Sequence, residues 1–294
     1  MSALQFVRAS KNMFCSLRLR TPQTRTLGYA TSLAKKESEE KSTVNADDVK
    51  QHAKLRYQWW DPNGPMKVLH AFNMIRVPFV RDGLVHSPPD QRTSTPLLGK
   101  KILDIGCGGG ILSMPLAKLG AEVTGVDASK ELIEMAQEHS RGHPPAPGKS
   151  PTYIYTSIEE HAKDHANVYD GIVASEIIEH IENDKKELFV KSCIHTLKPG
   201  GRIFFTTPTR TRLSQFTTIF LAETVLKAIP KGTHQYEEFT TPNEMTLLLE
   251  RNGCHVEAVH GCFVNMLQNK WHWISSTTLF FALQAIKLEE SLPR

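Results

Sequence analysis

The first 36 residues contain no Asp or Glu, although the whole chain has 31 acidic residues against 35 Lys and Arg. Seven basic residues lie in that segment, so the remainder has 28 basic residues and a formal net charge of about −3. A slightly acidic main part offers no extended basic surface to a phosphate backbone. We therefore expect no nucleic-acid partner.

The sequence also lacks long apolar runs and paired cysteines. No run approaches the roughly 20 apolar residues that a helix needs to cross a bilayer, which predicts a soluble or peripheral protein. The five cysteines form no C-x-x-C pair and show no zinc-site spacing. Reduced thiols in a reducing compartment are the expected state.

Residues 1–36 are rich in Arg, Ser and Thr and have no continuous apolar core of the kind found in secretory signals. This composition predicts a mitochondrial transit peptide, with cleavage within 25–40; the alternative is a disordered basic tail. The next stretch, residues 35–48, is charged and poor in apolar residues. Such a composition predicts a short disordered lead-in.

Beyond residue 100, apolar strand-like runs alternate with helical patterns. This alternation predicts a parallel sheet covered by helices on both faces. Two extended runs near the end, 255–265 and 276–286, predict a closing antiparallel pair. The predicted fold class is α/β: a single doubly wound, Rossmann-like domain over 86–294, with a mostly parallel seven-stranded sheet and an antiparallel C-terminal end. A helical extension over 37–85 precedes it. The predicted strands and helices before that end are 101–106, 121–127, 129–140, 152–156, 169–175, 183–197 and 202–208.

A glycine-rich loop, "LDIGCGGG", follows the first predicted strand. Glycines there allow a tight turn and a close approach of the backbone to a ligand at a helix N-terminus. Asp104 precedes the loop, and Asp127 ends the next strand, where a carboxylate can accept hydrogen bonds from ribose hydroxyls. Two acids without a phosphate-binding lysine favour a cationic adenosyl ligand such as S-adenosylmethionine. The alternatives are a nicotinamide dehydrogenase, or a glycine turn beside a surface carboxylate.

The hexapeptide "SEIIEH" comes directly after the apolar run "GIVA". If the chain turns helical after Ser175, then Glu176, Glu179 and His180 share one helix face. Three ligands for a divalent cation would converge there. The alternative is a polar helix start, with carboxylates favoured by the helix dipole.

Several motifs together resemble known families. "LDIGCGGG", "VTGVD" and "LKPGG" are similar to the class I S-adenosylmethionine-dependent methyltransferases. Residues 59–80, "SEIIEH" and residues 231–239 ("KGTHQYEEF") resemble more specifically the ubiquinone biosynthesis O-methyltransferases of mitochondria. The resemblance covers about residues 46–288, which is nearly all of the chain after the predicted transit peptide.

The resemblance implies a set of site residues. It places S-adenosylmethionine against Arg76, Gly106, Asp127 and Ser175. It also implies a divalent metal, magnesium by the family pattern, at Glu176, Glu179 and His180; zinc or manganese would compete, since magnesium prefers oxygen ligands. The metal would act as a Lewis acid on the substrate phenol. The alternative is a general base, His180 or His234, so the resemblance leaves the catalytic residue unassigned.

The implied activity is O-methylation of polyprenylated dihydroxybenzoate and demethylubiquinol intermediates. The implied partners are other subunits of a coenzyme Q biosynthetic complex and the matrix side of the mitochondrial inner membrane. A segment at 209–231 has basic residues and one apolar face, as expected either of an interfacial helix or of a lid on the domain's own core. Alternative functions are O-methylation of another small phenol, or a methyltransferase-like scaffold subunit.

Overall fold

The computed structural model describes residues 42–86, 93–214 and 236–289. The predicted transit peptide therefore lies outside the described residues, as does most of the segment predicted to contact the membrane. The described elements alternate between helix and strand up to β5, as predicted. The helices are α1 (Ala46–Ala53), α2 (Lys67–Leu84), α3 (Ser113–Lys118), α4 (Lys130–Gly142), α5 (Ile158–Ala162), α6 (Lys186–Thr196) and α7 (Pro242–Arg251). The strands are β1 (Lys101–Ile105), β2 (Glu122–Asp127), β3 (Thr152–Tyr155), β4 (Tyr169–Ser175), β5 (Leu197–Pro208), β6 (Cys254–Asn265), β7 (Lys270–Ile274) and β8 (Phe280–Lys287).

The strands form one sheet in the order β3-β2-β1-β4-β5-β8-β6-β7. Strands β1 to β5 are parallel, and β8 pairs antiparallel with both β5 and β6. The α/β class, the mostly parallel sheet and the antiparallel C-terminal end are confirmed. The order reverses direction at β1 and β4, so the carboxyl ends of these two strands flank the crevice where open α/β sheets bind ligands.

The sheet has eight strands rather than the predicted seven, because β7 pairs with the far end of β6. Five residues between two longer strands give too short a pattern to predict. Tertiary contacts hold β7 in place: the Trp271 ring stacks on Phe72 of α2 at 3.9 Å between centroids. Its indole N–H donates to the carbonyl of Val68 at 3.1 Å.

The apolar core lies on both faces of the sheet, as the alternation of side chains along β5 requires. Ile203 and Phe205 pack on the face covered by α6 and α7, whereas Phe204 packs on the opposite face with Val80 of α2. Phe205 and Ile203 have no exposed surface, and Phe204 is 1% exposed. A strand buried on both faces explains the continuous apolar run "IFF" at this position.

The N-terminal extension is helical, as predicted, but the disordered lead-in is wrong for residues 45–48. Asn45 caps α1, accepting hydrogen bonds from the backbone N–H groups of Asp47 and Asp48 at 3.1 and 3.3 Å. An Asn cap followed by acids in the first turn stabilises a helix start. Composition alone did not distinguish this capped helix from a charged linker.

We expect the protein to lose stability below pH 6.5 through His161, which is 5% exposed beside the Tyr169 hydroxyl at 2.7 Å. Burial, with a smaller effect of His165, lowers the pKa of His161 to about 4. The unfolded chain therefore binds a proton before the folded chain does, and the free energy of unfolding falls as the pH drops from 6.5 towards 4. The slope from this group is at most about 1.4 kcal/mol per pH unit.

Urea unfolding at pH 7, 6, 5 and 4.5 measures this slope in the wild type and in His161→Gln. The variant should lose less stability over this range, because glutamine can bond to Tyr169 and does not titrate. His255→Gln, at an exposed position on β6, is the matched control and should behave like the wild type. Equal slopes in His161→Gln and the wild type would contradict the prediction.

Candidate active site

A cavity of about 280 Å³ opens at the carboxyl ends of β1, β2 and β4. All seven residues predicted for the cofactor and metal sites line it. They come from α2, from the loops after β1 and β4, and from the last residues of β2 and β4, so only the fold brings them together. The seven are Arg76, Gly106, Asp127, Ser175, Glu176, Glu179 and His180.

The loop after β1 keeps its backbone open to the cavity. Gly106 and Gly108 have positive φ angles of 67° and 52°, which favour glycine. A Cβ on Gly106 would lie 2.8 Å from the Ile177 side chain, and one on Gly108 would lie 2.5 Å from Trp59. The glycines are therefore required both by conformation and by the lack of space, and they leave room for a ligand against the backbone.

Asp127 ends β2 and joins the glycine loop to the start of α4. Its Oδ2 accepts a hydrogen bond from Gly108 N at 2.8 Å, and its Oδ1 accepts one from Ser129 N at 2.7 Å. Burial raises the pKa of this carboxyl, while the two backbone N–H donors oppose the rise. Each carboxylate oxygen can accept a second hydrogen bond. Two vicinal hydroxyls, such as those of ribose, suit this remaining capacity.

Arg76 of α2 is 4% exposed and faces the same cavity. Its Nη1 donates to Ser175 Oγ at 2.8 Å, and its Nη2 donates to Asn73 Oδ1 at 2.7 Å and to Leu69 O at 3.0 Å. Burial lowers the pKa of Arg76 to about 10, so the guanidinium stays charged at neutral pH. Its Nη1 carries a second N–H that none of these hydrogen bonds uses. A charged fork with an unused donor suits a ligand carboxylate.

Asp104, which the sequence placed inside the end of β1, is 2% exposed and lines the cavity. Ser113 Oγ donates to its Oδ2 at 2.5 Å. Burial raises the pKa of Asp104 to about 6, against the opposing effects of Ser113 and Arg76. This carboxylate is a buried anion that would be stabilised by a ligand ammonium group.

"SEIIEH" does not begin an α-helix after Ser175, so the predicted helix face is wrong. Glu176 has a positive φ of 56°, and its backbone N–H donates to Thr206 O of β5 at 2.8 Å. This hydrogen bond extends the pairing of β4 with β5 by one residue and excludes a helical start. A single 3₁₀ turn, Ile178–His180, follows.

The two glutamates of this segment nevertheless lie together. Glu176 Oε1 accepts from Thr206 Oγ1 at 3.0 Å, and Glu179 Oε2 accepts from Thr207 Oγ1 at 2.9 Å. Burial raises the pKa of both carboxyls, and repulsion from Glu179 raises that of Glu176 further. A cation bound in the cavity would stabilise these two carboxylates, of which Glu179 is buried and Glu176 half-buried.

His180 contacts the N-terminal helix. Its Nδ1 lies 3.3 Å from Asp48 Oδ2 of α1, and its ring meets that of His52 edge to face at 5.5 Å. In the described residues, the one group of three metal-ligating side chains whose ligand atoms all lie within 4.8 Å of one another is Asp48, His52 and His180. The predicted ligand set of Glu176, Glu179 and His180 is not such a group.

Sequence reasoning missed the part of the cavity wall formed by α1 and by the antiparallel end. Asp48 and His52 of α1 line the cavity, as do Trp271 of β7 and Phe280 of β8. The spacing D-x-x-x-H was a signal for the first pair, since i and i+4 share a helix face. Nothing in the sequence pattern pointed to Trp271 or Phe280. The other candidate base, His234, lies outside the described residues.

The chain is similar to known methyltransferases. A family model described as "Methyltransferase domain" matches residues 88–259. The ubiquinone biosynthesis O-methyltransferase of rat mitochondria is 41% identical over 83% of this chain and 70% of that protein. The human mitochondrial protein of the same name is 41% identical, over 85% and 67%. The ubiquinone biosynthesis O-methyltransferase of Sinorhizobium fredii is 36% identical, over 79% and 91%.

Solved structures share the fold at low sequence identity. The magnesium protoporphyrin IX methyltransferase of Synechocystis, solved with bound S-adenosylmethionine, superposes with a TM-score of 0.54 at 18% identity. It covers 83% of this chain and 100% of that one. A methyltransferase from Methanosarcina mazei gives a TM-score of 0.52 at 21% identity, over 70% and 100%.

Proposed function

The chain belongs to the ubiquinone biosynthesis O-methyltransferases, an S-adenosylmethionine-dependent class, and from this membership we propose its substrates and mechanism. It transfers the methyl group of S-adenosylmethionine to phenolic hydroxyls of polyprenylated dihydroxybenzoate and demethylubiquinol intermediates. The observation that carries the proposal is the single cavity that gathers the glycine loop, Asp127, Arg76 and the Glu176–Glu179 pair.

The residues fit the methyl donor at three points. Asp127 has acceptor capacity for the ribose hydroxyls, and the Arg76 fork, held by Ser175, has an unused donor for the carboxylate. Asp104 supplies a buried anion for the ammonium group. Gly106 lines the same cavity and leaves space for the ligand against the loop backbone. Together these groups fix the position of the sulfonium methyl, which is what an in-line transfer requires.

The transfer itself needs alignment, a dry site and a nucleophilic oxygen. The phenol oxygen forms a bond to the methyl carbon and loses its proton, while the sulfur keeps the electron pair of the broken C–S bond. Apolar side chains, among them Val68, Leu69 and Phe280, line the cavity and exclude water from the reacting atoms. A phenol has a pKa of about 10, so removal of its proton limits the nucleophile at neutral pH.

A divalent cation, with magnesium as the expected ion, bound by Glu176, Glu179 and His180 would supply the Lewis acid that lowers the pKa of the phenol. Two observations support the carboxylate part of this assignment, although the three ligand atoms do not form a compact group. Glu176 and Glu179 line one cavity with pKa values raised by burial, and Thr206 and Thr207 hold one oxygen of each carboxylate in place.

The general-base alternative is less well supported at His180. Although burial lowers its pKa, the hydrogen bond to Asp48 and the nearby carboxylates raise it to about 9. An imidazolium at neutral pH has no lone pair to accept the phenol proton. A cation bound through His180 would also have to displace this proton, so the carboxylates of Glu176 and Glu179 are the stronger part of the proposed ligand set.

The proposed setting is the mitochondrion, in line with the mitochondrial relatives. The finer proposal is a peripheral position on the matrix side of the inner membrane, together with other subunits of a coenzyme Q biosynthetic complex. Within the described residues no helix is long and apolar enough to cross a membrane. The amphipathic segment expected to contact the membrane lies largely outside the described residues.

The proposal is tested with purified protein that begins near residue 40. The assay measures methyl transfer from S-adenosylmethionine to a short-tailed dihydroxy-polyprenylbenzoate. We expect activity that disappears with chelator and returns with magnesium. The variant Glu176→Gln/Glu179→Gln should lose activity about 100-fold or more, because the amides cannot supply the charge that holds the cation. Glu182→Gln/Glu187→Gln, two exposed positions after the site, is the matched control.

Each outcome separates one part of the proposal from another. Activity unaffected by chelator and by the glutamate variant would overturn the metal and leave the methyl transfer intact. Turnover of simple catechols but not of prenylated substrates would assign the enzyme to another small phenol. No methyl transfer to any phenol, with S-adenosylmethionine still bound, would favour the scaffold function.

A further inference from the structure

Helix α1 and the turn after β4 bring three metal-ligating side chains together at the edge of the cavity. Asp48 and His52 are four residues apart on α1 and therefore share a face. His180 closes the group from the 3₁₀ turn Ile178–His180. The ligand atoms of all three lie within 4.8 Å of one another, and His180 Nδ1 is 3.3 Å from Asp48 Oδ2.

We infer that Asp48, His52 and His180 bind a zinc-class divalent ion that ties helix α1 to the catalytic end of the sheet. Two imidazoles and one carboxylate are a ligand set that zinc prefers. Ligand atoms around one tetrahedral zinc ion lie about 3.4 Å apart, given bonds of about 2.0–2.2 Å. The His180–Asp48 pair, at 3.3 Å, already has this spacing, and the other ligand atoms lie within 4.8 Å of one another. The fourth position would be open to water or to a ligand in the cavity.

The hydrogen bonding of His52 supports this role. Its Nδ1 lies 3.0 Å from the backbone carbonyl oxygen of Asp48. Donation of the Nδ1 proton to that carbonyl leaves a lone pair on Nε2, one of the two imidazole nitrogens through which histidine binds metals. Metal-ligating histidines typically donate their second nitrogen to a carbonyl or a carboxylate in this manner.

Helix α1 has little packing of its own, so a bound ion would stabilise its position. The helix has eight residues, and none of its side chains is buried. Helices of this length are marginal without tertiary contacts. A hydrogen bond from Thr43 Oγ1 to Glu159 Oε1, at 2.6 Å, anchors the segment just before the helix. An ion held by Asp48 and His52 on α1 and by His180 would anchor the helix itself over the cavity.

This site differs from the carboxylate pair of the proposed mechanism. Glu176 and Glu179 offer oxygen ligands, which suit magnesium, whereas the α1 group offers two nitrogens and suits zinc. His180 belongs to both sets, and one imidazole nitrogen binds one ion, so an ion at the α1 group would leave Glu176 and Glu179 as the protein ligands of the catalytic cation. The inference does not rest on the proposed function, since zinc binding and the order of α1 are measured without turnover.

Titration of the untagged chain with Co²⁺ and Zn²⁺ tests the inference. We expect one Co²⁺ per chain with the intense visible absorption of a tetrahedral site, displaced by Zn²⁺. His52→Gln and Asp48→Asn should each weaken Zn²⁺ binding by at least about 100-fold. Loss of a group that only hydrogen-bonds to a metal ligand typically weakens metal binding about 10–100-fold, and loss of the ligand itself should weaken it more. His255→Gln, at an exposed position on β6, is the control for general histidine binding and should change nothing.

Glu176→Gln/Glu179→Gln distinguishes the two sites. It should leave the tetrahedral Co²⁺ spectrum and the Zn²⁺ affinity unchanged. Loss of Zn²⁺ binding in that variant, with normal binding in His52→Gln, would place the ion at the carboxylates and overturn the inference.

Amide hydrogen exchange over Ala46–Ala53 provides the second measurement. Zn²⁺ should slow exchange there in the wild type and in His255→Gln, but not in His52→Gln. Exchange in α1 that does not respond to Zn²⁺ in the wild type would overturn the proposed tie between α1 and the sheet.

Discussion

Asp127→Asn is expected to weaken binding of S-adenosylmethionine by about 100-fold. A hydrogen bond to a charged group contributes about 1.5–3 kcal/mol, and the carboxylate would make two such bonds to the ribose. Loss of about 2.7 kcal/mol corresponds to a 100-fold change in dissociation constant. The asparagine would also turn its NH₂ group towards either Gly108 N or Ser129 N, which both donate to the present carboxylate.

Isothermal titration with S-adenosylmethionine and S-adenosylhomocysteine measures this change. Glu122→Gln is the matched control, because it removes an exposed carboxylate at the start of the same strand. We expect it to bind both ligands like the wild type. A thermal melt of Asp127→Asn verifies that the variant is folded. Unchanged affinity in a folded variant would mean that the ribose binds elsewhere.

Arg76→Lys has the second large expected effect, a loss of about 30–100-fold in affinity for S-adenosylmethionine. Lysine keeps the charge but not the planar fork that reaches Ser175, Asn73 and the ligand carboxylate. The variant should also be less stable by about 1–3 kcal/mol, because buried partners of the guanidinium lose their hydrogen bonds.

Decarboxylated S-adenosylmethionine separates the two effects of this substitution. The wild type should bind it more weakly than S-adenosylmethionine, because the fork then has no carboxylate to bind. Arg76→Lys should bind the two ligands nearly equally, which a purely structural loss would not produce. Arg81→Lys, on the same helix and paired with Asp82 near the surface, is the control. If Arg76→Lys still prefers S-adenosylmethionine over its decarboxylated form as strongly as the wild type does, Arg76 does not bind the ligand carboxylate.

Most of the parallel sheet could be predicted from residues that are local in sequence. The runs at β1, β2, β4 and β5 are apolar because both of their faces are buried, and this pattern is visible without a structure. Strand β7 was not visible in this way. Its stability comes from the stacking of Trp271 on Phe72, a contact between residues about 200 positions apart.

Only the part of the candidate site that depends on local sequence patterns was predicted from those patterns. Gly106 follows β1 and Asp127 ends β2, and the carboxyl ends of these strands meet at one edge of the sheet, so their proximity follows from the predicted order. Arg76 rested on the resemblance to a family, because no local pattern ties α2 to that edge. The metal residues rested on the spacing within "SEIIEH" as well as on the resemblance. The helix predicted at "SEIIEH" does not form, because the backbone of Glu176 pairs with Thr206 of β5. A six-residue pattern contains no information about that distant partner.

The α/β class, the glycine loop, the acids beside it and the family could be predicted from local patterns, because strand periodicity, turn glycines and motif spacing each involve few residues. Which charged groups meet became clear only in the folded chain. There Glu176 pairs with Thr206 of β5, Arg76 is buried against Ser175, and Asp48 and His52 of α1 lie beside His180. Local patterns do not include such contacts, because burial and long-range packing, which set the energies of charged groups, depend on residues far apart in the chain.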